Sequence, residues 1–207
     1  MDVNDAKATK RAHGLETQRA LLAAAGAVFS RMAYADARLK DIAEEAGISQ
    51  GSLYFHFGNK DDVARAVLSV QQERMGQVLT TVQELAGSAL DCILGLFEGL
   101  ADLIATDELV QAGIRLSMQP ATGLEVDSSA PYVEWVEVAA SILRGGVADG
   151  SMAPDLDVRA AAELLNEIFV GAQVLSGLED KWASLPRRVA SARAGIRTVL
   201  TSSTRAA

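Results

Sequence analysis

Apolar residues recur along this chain at spacings of three and four, the period of helices with one buried face. The spacing predicts a first helix over about 17–32, with Leu21, Leu22, Ala25, Val28 and Phe29 on one face. Two short helices follow within 39–60. A fourth opens at Asp61 and Asp62, acids that suit the positive end of a helix, and carries Val63, Val67, Val70, Val78 and Val82. Beyond it the pattern predicts an apolar helix over 88–105 interrupted by Gly95 and Gly99, and a second over about 107–118. After a loop bounded by Pro120 and Pro131, helices are expected over 131–149, from Asp157 to about Leu175, and over 186–200. No hairpin signal breaks this run, so the expected class is all-α. Residues 1–13 read as a flexible arm and the final seven residues as a frayed end.

The segment 39–60, LKDIAEEAGISQGSLYFHFGNK, departs from simple amphipathic patterning. Ile42, Ala43 and Ala46 give the first of its two helices an apolar stripe. Gly47 permits the positive φ that a sharp exit requires. Ser49 is a good N-cap for the next helix, and Leu53 and Phe57 form its buried side. Gln50, Gly51, Ser52, Tyr54 and His56 are left to point outward, and none is a typical solvating charge. A short helix with small hydrogen-bonding residues at its N-terminal end matches the recognition helix of a helix-turn-helix. Gln50 can pair with an adenine edge, and Ser49 or Ser52 with several bases.

These residues resemble the TetR family of bacterial transcriptional repressors over roughly residues 14–70. The resemblance rests on Thr17, AAAGAVF at 23–29, Tyr34, IAEEAGIS at 42–49, GSLYFHF at 51–57 and Lys60. It implies that Ser49, Gln50, Gly51, Ser52, Tyr54 and His56 face a double-stranded DNA operator, with Tyr54, His56 and Lys60 holding phosphates. Thr17 and Lys40 match positions that also meet the DNA backbone. There are three departures from the family pattern. Ala33 stands where glycine usually precedes the tyrosine, at a cost of about 1 kcal/mol if φ must be positive. Ala37 and Arg38 stand where hydroxyl residues usually precede Leu39, so that either Asp36 caps that helix or the cap is weak. Gln18 stands where arginine is frequent. A second resemblance, to the γ-butyrolactone autoregulator receptors of actinobacteria, rests on LVQAGIRLSM at 109–118 and PYVEWVEVAA at 131–140, with Trp135 matching a pocket-wall tryptophan.

The chain has 207 residues, enough for a substantial core in one or two domains. Its net charge of −8 looks wrong for a DNA binder until it is divided. Residues 1–60 hold eight Lys/Arg and seven Asp/Glu, whereas residues 61–207 hold eleven and twenty. Acid in the second part can repel DNA and enforce one docking orientation, or simply confer solubility. Lys7, Lys10 and Arg11 of the arm can enter a minor groove, or be a solvated tail. The expected domains are a DNA-binding domain over 1–60 and a regulatory, ligand-binding and dimerisation domain over 61–207.

In the second domain, Trp135 with Phe97, Leu100, Ile114, Met118, Val138, Phe169 and Val174 reads as the wall of a pocket for a small apolar effector, or as a packed core. Gln173, polar on an apolar helix, reads as a ligand contact or an interface hydrogen bond. Glycines at 95, 99, 113, 145, 146 and 171 suggest a cavity or close helix contacts. The helices over 157–200 present Ala, Leu, Val and Gly faces able to close a four-helix interface in a homodimer, as the resemblance implies. The two histidines, His13 and His56, and the single Cys92 form no catalytic or metal-binding arrangement, and no phosphate loop or cofactor motif occurs. An enzyme is therefore not expected, and neither a metal nor another cofactor. One cysteine, no signal-peptide pattern and no apolar run of membrane-spanning length fit a cytoplasmic protein. The implied function is a ligand-released repressor, its effector a γ-butyrolactone-type signal. The alternative effector is a drug or hydrophobic metabolite, the target then being an efflux or catabolic operon.

Overall fold

A computed structural model describes residues 3–118 and 130–203 of the chain. Its elements are α1 (Val3–Arg31), α2 (Leu39–Glu45), α3 (Gln50–His56), α4 (Lys60–Leu85), α5 (Ala89–Thr106), α6 (Glu108–Met118), α7 (Ala130–Ala148), α8 (Val158–Asp180) and α9 (Leu185–Thr201). No strand occurs among the described residues. The all-α expectation holds, with two boundaries displaced. Helix α1 begins at Val3, well before the expected start at Thr17. Helix α8 continues five residues past Leu175. The side chains of residues 1–13, with the arm's Lys7, Lys10 and Arg11, and the loop over 119–129 lie outside the described residues.

The chain packs as two compact units. The first comprises residues 1–73 and 107–126, and the second residues 74–106 and 127–207. Compact packing thus does not divide at the expected 60/61 boundary, because α6 returns to pack on α1. A Cβ on Gly26 would sit 2.9 Å from Leu109 Cδ1, so glycine admits the Leu109 side chain against the α1 backbone. Leu109, Ala112 and Leu116 thereby join Leu21, Val28, Phe29, Ile42, Leu53, Val63 and Val67 in one core. Asp107 caps α6, its carboxylate accepting from the N–H groups of Leu109 (3.0 Å) and Val110 (3.1 Å).

In the second unit α5 is apolar nearly all round, the mark of a central helix. Leu90, Ile93, Leu96, Leu100, Ala101 and Ile104 are all buried, and α7 and α9 pack against it. Gly95 and Gly99 face Val82 and Val78 of α4, at 3.2 and 2.7 Å from where a Cβ would stand. Gly146 likewise lies against Met152, and in the first unit Gly113 lies against Gln71. Of the two readings of these glycines, close helix contact is therefore correct at 95, 99 and 113, while Gly146 admits the side chain of Met152 from the loop after α7. Gly171 has nothing within 4 Å of its Cβ position.

Helix α8 starts where expected, with Asp157 accepting from Ala160 N–H at 3.1 Å. It runs on to Asp180 because its stop is a left-handed pair beyond that residue. Lys181 (φ 55°) and Trp182 (φ 67°) are both left-handed, and Trp182 N–H closes on Ser176 O at 3.1 Å. The indole is buried against Gly177, the atoms nearest its Cβ position being 2.9 Å away. Left-handed backbone costs an L-residue about 1–2 kcal/mol, offset here by burial of a large aromatic.

Candidate nucleic-acid interface

The α2–α3 corner is built from local chemistry. Helix α2 ends in a left-handed Gly47 (φ 66°), whose N–H bonds to Glu44 O at 3.1 Å. The next N–H, of Ile48, reaches Ala43 O at 3.0 Å, which completes a Schellman motif. Ile48 packs on the core beneath the corner. Ser49 then caps α3, its Oγ accepting from Ser52 N–H at 3.1 Å. The start of α2 differs from expectation. Its N-cap is Arg38, and the Asp41 carboxylate reaches back to accept the Arg38 N–H at 2.8 Å, so Asp36 is not the cap. Ala33 is not among the residues with positive φ, so the cost feared there does not arise.

A second set of contacts braces the corner. Tyr34 is buried, and its hydroxyl donates to the Asp61 carboxylate. Burial first, then this hydrogen bond, pushes the phenol pKa well above its usual value. Lys60 Nζ donates to Tyr34 O at 2.7 Å and Ala37 O at 3.0 Å, and stands 4.3 Å over the Tyr34 ring. These two bonds brace the α1–α2 turn against the start of α4 and leave Lys60, expected to hold phosphate, a third N–H. Asn59 caps α4 through Asp62 N–H at 2.9 Å. Arg31 pairs with Glu45, joining the ends of α1 and α2.

With α3 held in this way, Leu53 and Phe57 are buried as expected. Ser49, Gln50 and Gly51 are exposed, Ser52 and His56 half-buried, and Tyr54 is 56 % exposed. Lys40 is exposed at the start of α2, 3.4 Å from Glu44, and Thr17 is half-buried on α1. These residues share one unit. Sequence reasoning missed Phe55, whose ring is 86 % exposed and meets His56 edge-on at 5.4 Å. Helical spacing could have found it, since Phe55 lies almost opposite Leu53.

The effector candidates divide between the units. Phe97, Leu100, Trp135, Val138, Phe169, Gln173 and Val174 belong to the second, and Ile114 and Met118 to the first. Phe97 and Phe169 are buried and pack ring to ring at 5.2 Å, while Trp135, Val138 and Val174 are half-buried. Leu100, Ile114 and Gln173 are buried, and Met118 is exposed at the end of α6. Cys92 is buried, which raises its thiol pKa. Among the described residues, no group of three or more His, Cys, Asp or Glu could hold a metal ion. No described helix is long and apolar enough to cross a membrane.

Comparison with known proteins gives this geometry a setting. The A-factor receptor protein of Streptomyces griseus is 28% identical over 181 residues, 87% of this chain. The chain spans only 62% of that relative's length. Among solved structures, a γ-butyrolactone receptor (ArpA-like protein) superposes with a TM-score of 0.67 at 26% identity, over 86% of this chain and 98% of the other. CprB of Streptomyces coelicolor, solved in complex with its operator sequence, superposes with a TM-score of 0.73 at 29% identity, over 93% and 92% of the two chains. The family model of bacterial regulatory proteins of the tetR family matches residues 21–67, and that of the tetracyclin repressor-like C-terminal domain matches residues 87–200. The chain is therefore a member of the TetR family of DNA-binding transcriptional regulators.

Proposed function

We infer that this protein is a dimeric repressor that grips a near-palindromic operator and is released by a small apolar effector of the γ-butyrolactone type. The observation that carries the DNA half is the outward face of α3, where exposed groups are hydrogen-bonding or aromatic and none is a solvating charge. Gln50 and Ser52 read base edges, Ser49 has a hydroxyl proton left to donate, and Tyr54, His56, Thr17 and Lys40 meet the sugar–phosphate backbone. Lys60 holds the turn that aims α3.

Dimerisation is supported by helices α8 and α9. The outward positions 164, 168, 171, 175 and 178 of α8 follow one helical stripe, carrying Leu, Ile, Gly, Leu and Leu. On α9, Ala192, Gly195 and Val199 form a parallel series. Gly171 and Gly195 meet nothing within 4 Å and would let a second backbone approach closely. Two copies joined there present two recognition helices to two half-sites about one DNA turn apart.

We assign the effector site to the second unit, its candidate lining being the half-buried Trp135, Val138 and Val174 and the buried Phe97, Leu100 and Phe169, with Gln173 as a polar contact. An apolar lactone suits such a lining, because an indole offers both a flat face and an N–H for a carbonyl. A ten- to hundredfold release requires the effector to favour the released state by about 1.4–2.7 kcal/mol. Helix α4 is continuous from the first unit into the second and is the element able to carry that preference.

The test is operator capture from genomic fragments, then release by a panel of γ-butyrolactones and chemically unrelated apolar compounds. Release by one lactone class, lost in Trp135→Ala with operator affinity retained, is the expected result. Release by unrelated compounds without lactone preference would replace the signal receptor with a drug or metabolite sensor. Unchanged release from the Trp135→Ala variant would remove the pocket assignment.

A further inference from the structure

The most exposed large apolar side chain among the described residues, Phe55, stands on the helix proposed to enter DNA. At about 100° per residue, Phe55 lies roughly 160° from the buried Leu53, on the outermost line of α3. Tyr54 and His56 lie about 100° to either side of it, the positions assigned to phosphates. Gly51, one turn earlier, lies only about 40° from Phe55 on the same face. The Gly51 Cβ position has only Ser49 Oγ within 4 Å, at 3.8 Å, so the surface toward which the Phe55 ring leans is open. The ring is steadied from one side by the edge-on contact with His56, at 88°.

An exposed phenyl ring in this place adds nothing to the core of its own unit. We propose that Phe55 is a specificity-determining residue that reads the 5-methyl group of a thymine in each half-site of the operator. This rests on the repressor reading above. The thymine methyl is the one apolar feature a base pair displays in the major groove, and phenylalanine is among the side chains that can meet it. Flanking phosphate contacts from Tyr54 and His56 would hold the ring over the groove floor. Gly51 leaves the methyl room beside it. Hydrogen bonding by Gln50 and Ser52 and apolar contact by Phe55 then read different features of neighbouring base pairs.

The experiment uses the full chain and a duplex enriched by it from a random-sequence library. Each thymine of that duplex is replaced singly by deoxyuridine, which removes only the methyl. The wild type is expected to lose about fourfold in affinity at one thymine per half-site, the worth of one buried methyl, and the square of that when both half-sites are changed. Phe55→Ala should bind the parent duplex correspondingly more weakly and show no deoxyuridine penalty at that position. Phe55→Leu should retain part of it. Because Phe55 packs on no core residue, thermal unfolding of both variants should match the wild type, so that weaker binding is not a folding defect. The proposal is overturned if no thymine replacement affects the wild type, or if Phe55→Ala keeps the full penalty. It is also overturned if the variant keeps the penalty but loses self-association in DNA-free solution, since the ring then serves a second copy of the chain. A library that enriches no duplex removes the repressor reading itself, and is told apart because Phe55 variants never enter that step.

Discussion

Helices α3 and α8 both leave large apolar side chains in the open, yet the two faces differ in kind. On α3 a single ring, Phe55, stands among an amide, hydroxyls, a phenol and an imidazole on seven residues. On α8 an aliphatic stripe runs through 23 residues, with Leu178 82 %, Leu175 55 % and Leu164 40 % exposed and polar residues to either side. One aromatic among hydrogen-bonding groups suits a partner that is itself a mosaic of polar edges and isolated methyls. A continuous aliphatic stripe suits a partner with the same stripe. Exposed apolar area alone would have ranked α8 far above α3 and would have said nothing about which surface meets nucleic acid.

The comparison breaks most visibly at α8. Replacing Leu175 and Leu178 together by glutamate should convert the proposed dimer to a monomer in sedimentation. It should also lower operator affinity on the order of a hundredfold, because each half-site is then bound without its linked neighbour. If the doubly charged variant stays dimeric, the stripe is not the interface. At α3, Gln50→Ala should lower affinity for the selected operator by about ten- to a hundredfold and leave binding to random duplex unchanged, the pattern of a lost base contact. Lys40→Ala should act on all sequences alike, with a loss of a few-fold per half-site and a salt slope of log affinity shallower by about two, one for each copy in the proposed dimer. A sequence-dependent loss at Lys40 would move it from the backbone to the bases.

The smallest expected effect lies at the start of α5. Asp149 accepts from Ala89 N–H at 2.9 Å and Ser151 N–H at 2.8 Å, and its carboxyl pKa is held below the usual range by the Ser151 hydroxyl first and then by these two N–H groups. A carboxyl whose pKa is lower folded than unfolded contributes stability that is present above the unfolded value of about 3.9. That contribution is lost as pH falls through the folded value. The gap in unfolding temperature between wild type and Asp149→Ala should therefore be full at neutral pH and close in acid. A gap that persists below pH 3 would show the loop, and not the charge, to be responsible.

The sequence revealed what local chemistry decides. Gly47, Ser49 and Asp157 announce caps and corners because each acts on backbone a few residues away. The burial of Leu53 and Phe57 followed from spacing alone. What was not legible has several causes. Asp36 lost the α2 cap to Asp41, which reaches backward. The bonds from Lys60 to the carbonyls of Tyr34 and Ala37 join residues too far apart in sequence for local spacing to announce. The division at residue 60 failed as a packing boundary because Leu109 enters the space left by Gly26, a pairing 83 residues apart that no local pattern encodes. The exposure of Phe55 is not announced by residue type, and only its angle from Leu53 around α3 turns it outward.

The two tryptophans, Trp135 and Trp182, differ in the same useful way as the helices that carry them. Trp182 is sealed against Gly177, and Trp135 is half-buried on α7. The protein thus contains its own optical gauge: the shielded Trp182 should emit to the blue and resist quenchers, and Trp135 should respond to quenchers and to whatever docks beside it. A Trp182→Phe substitution would leave Trp135 as the sole tryptophan, so that the colour of its fluorescence could test occupancy of the proposed effector site without any attached dye.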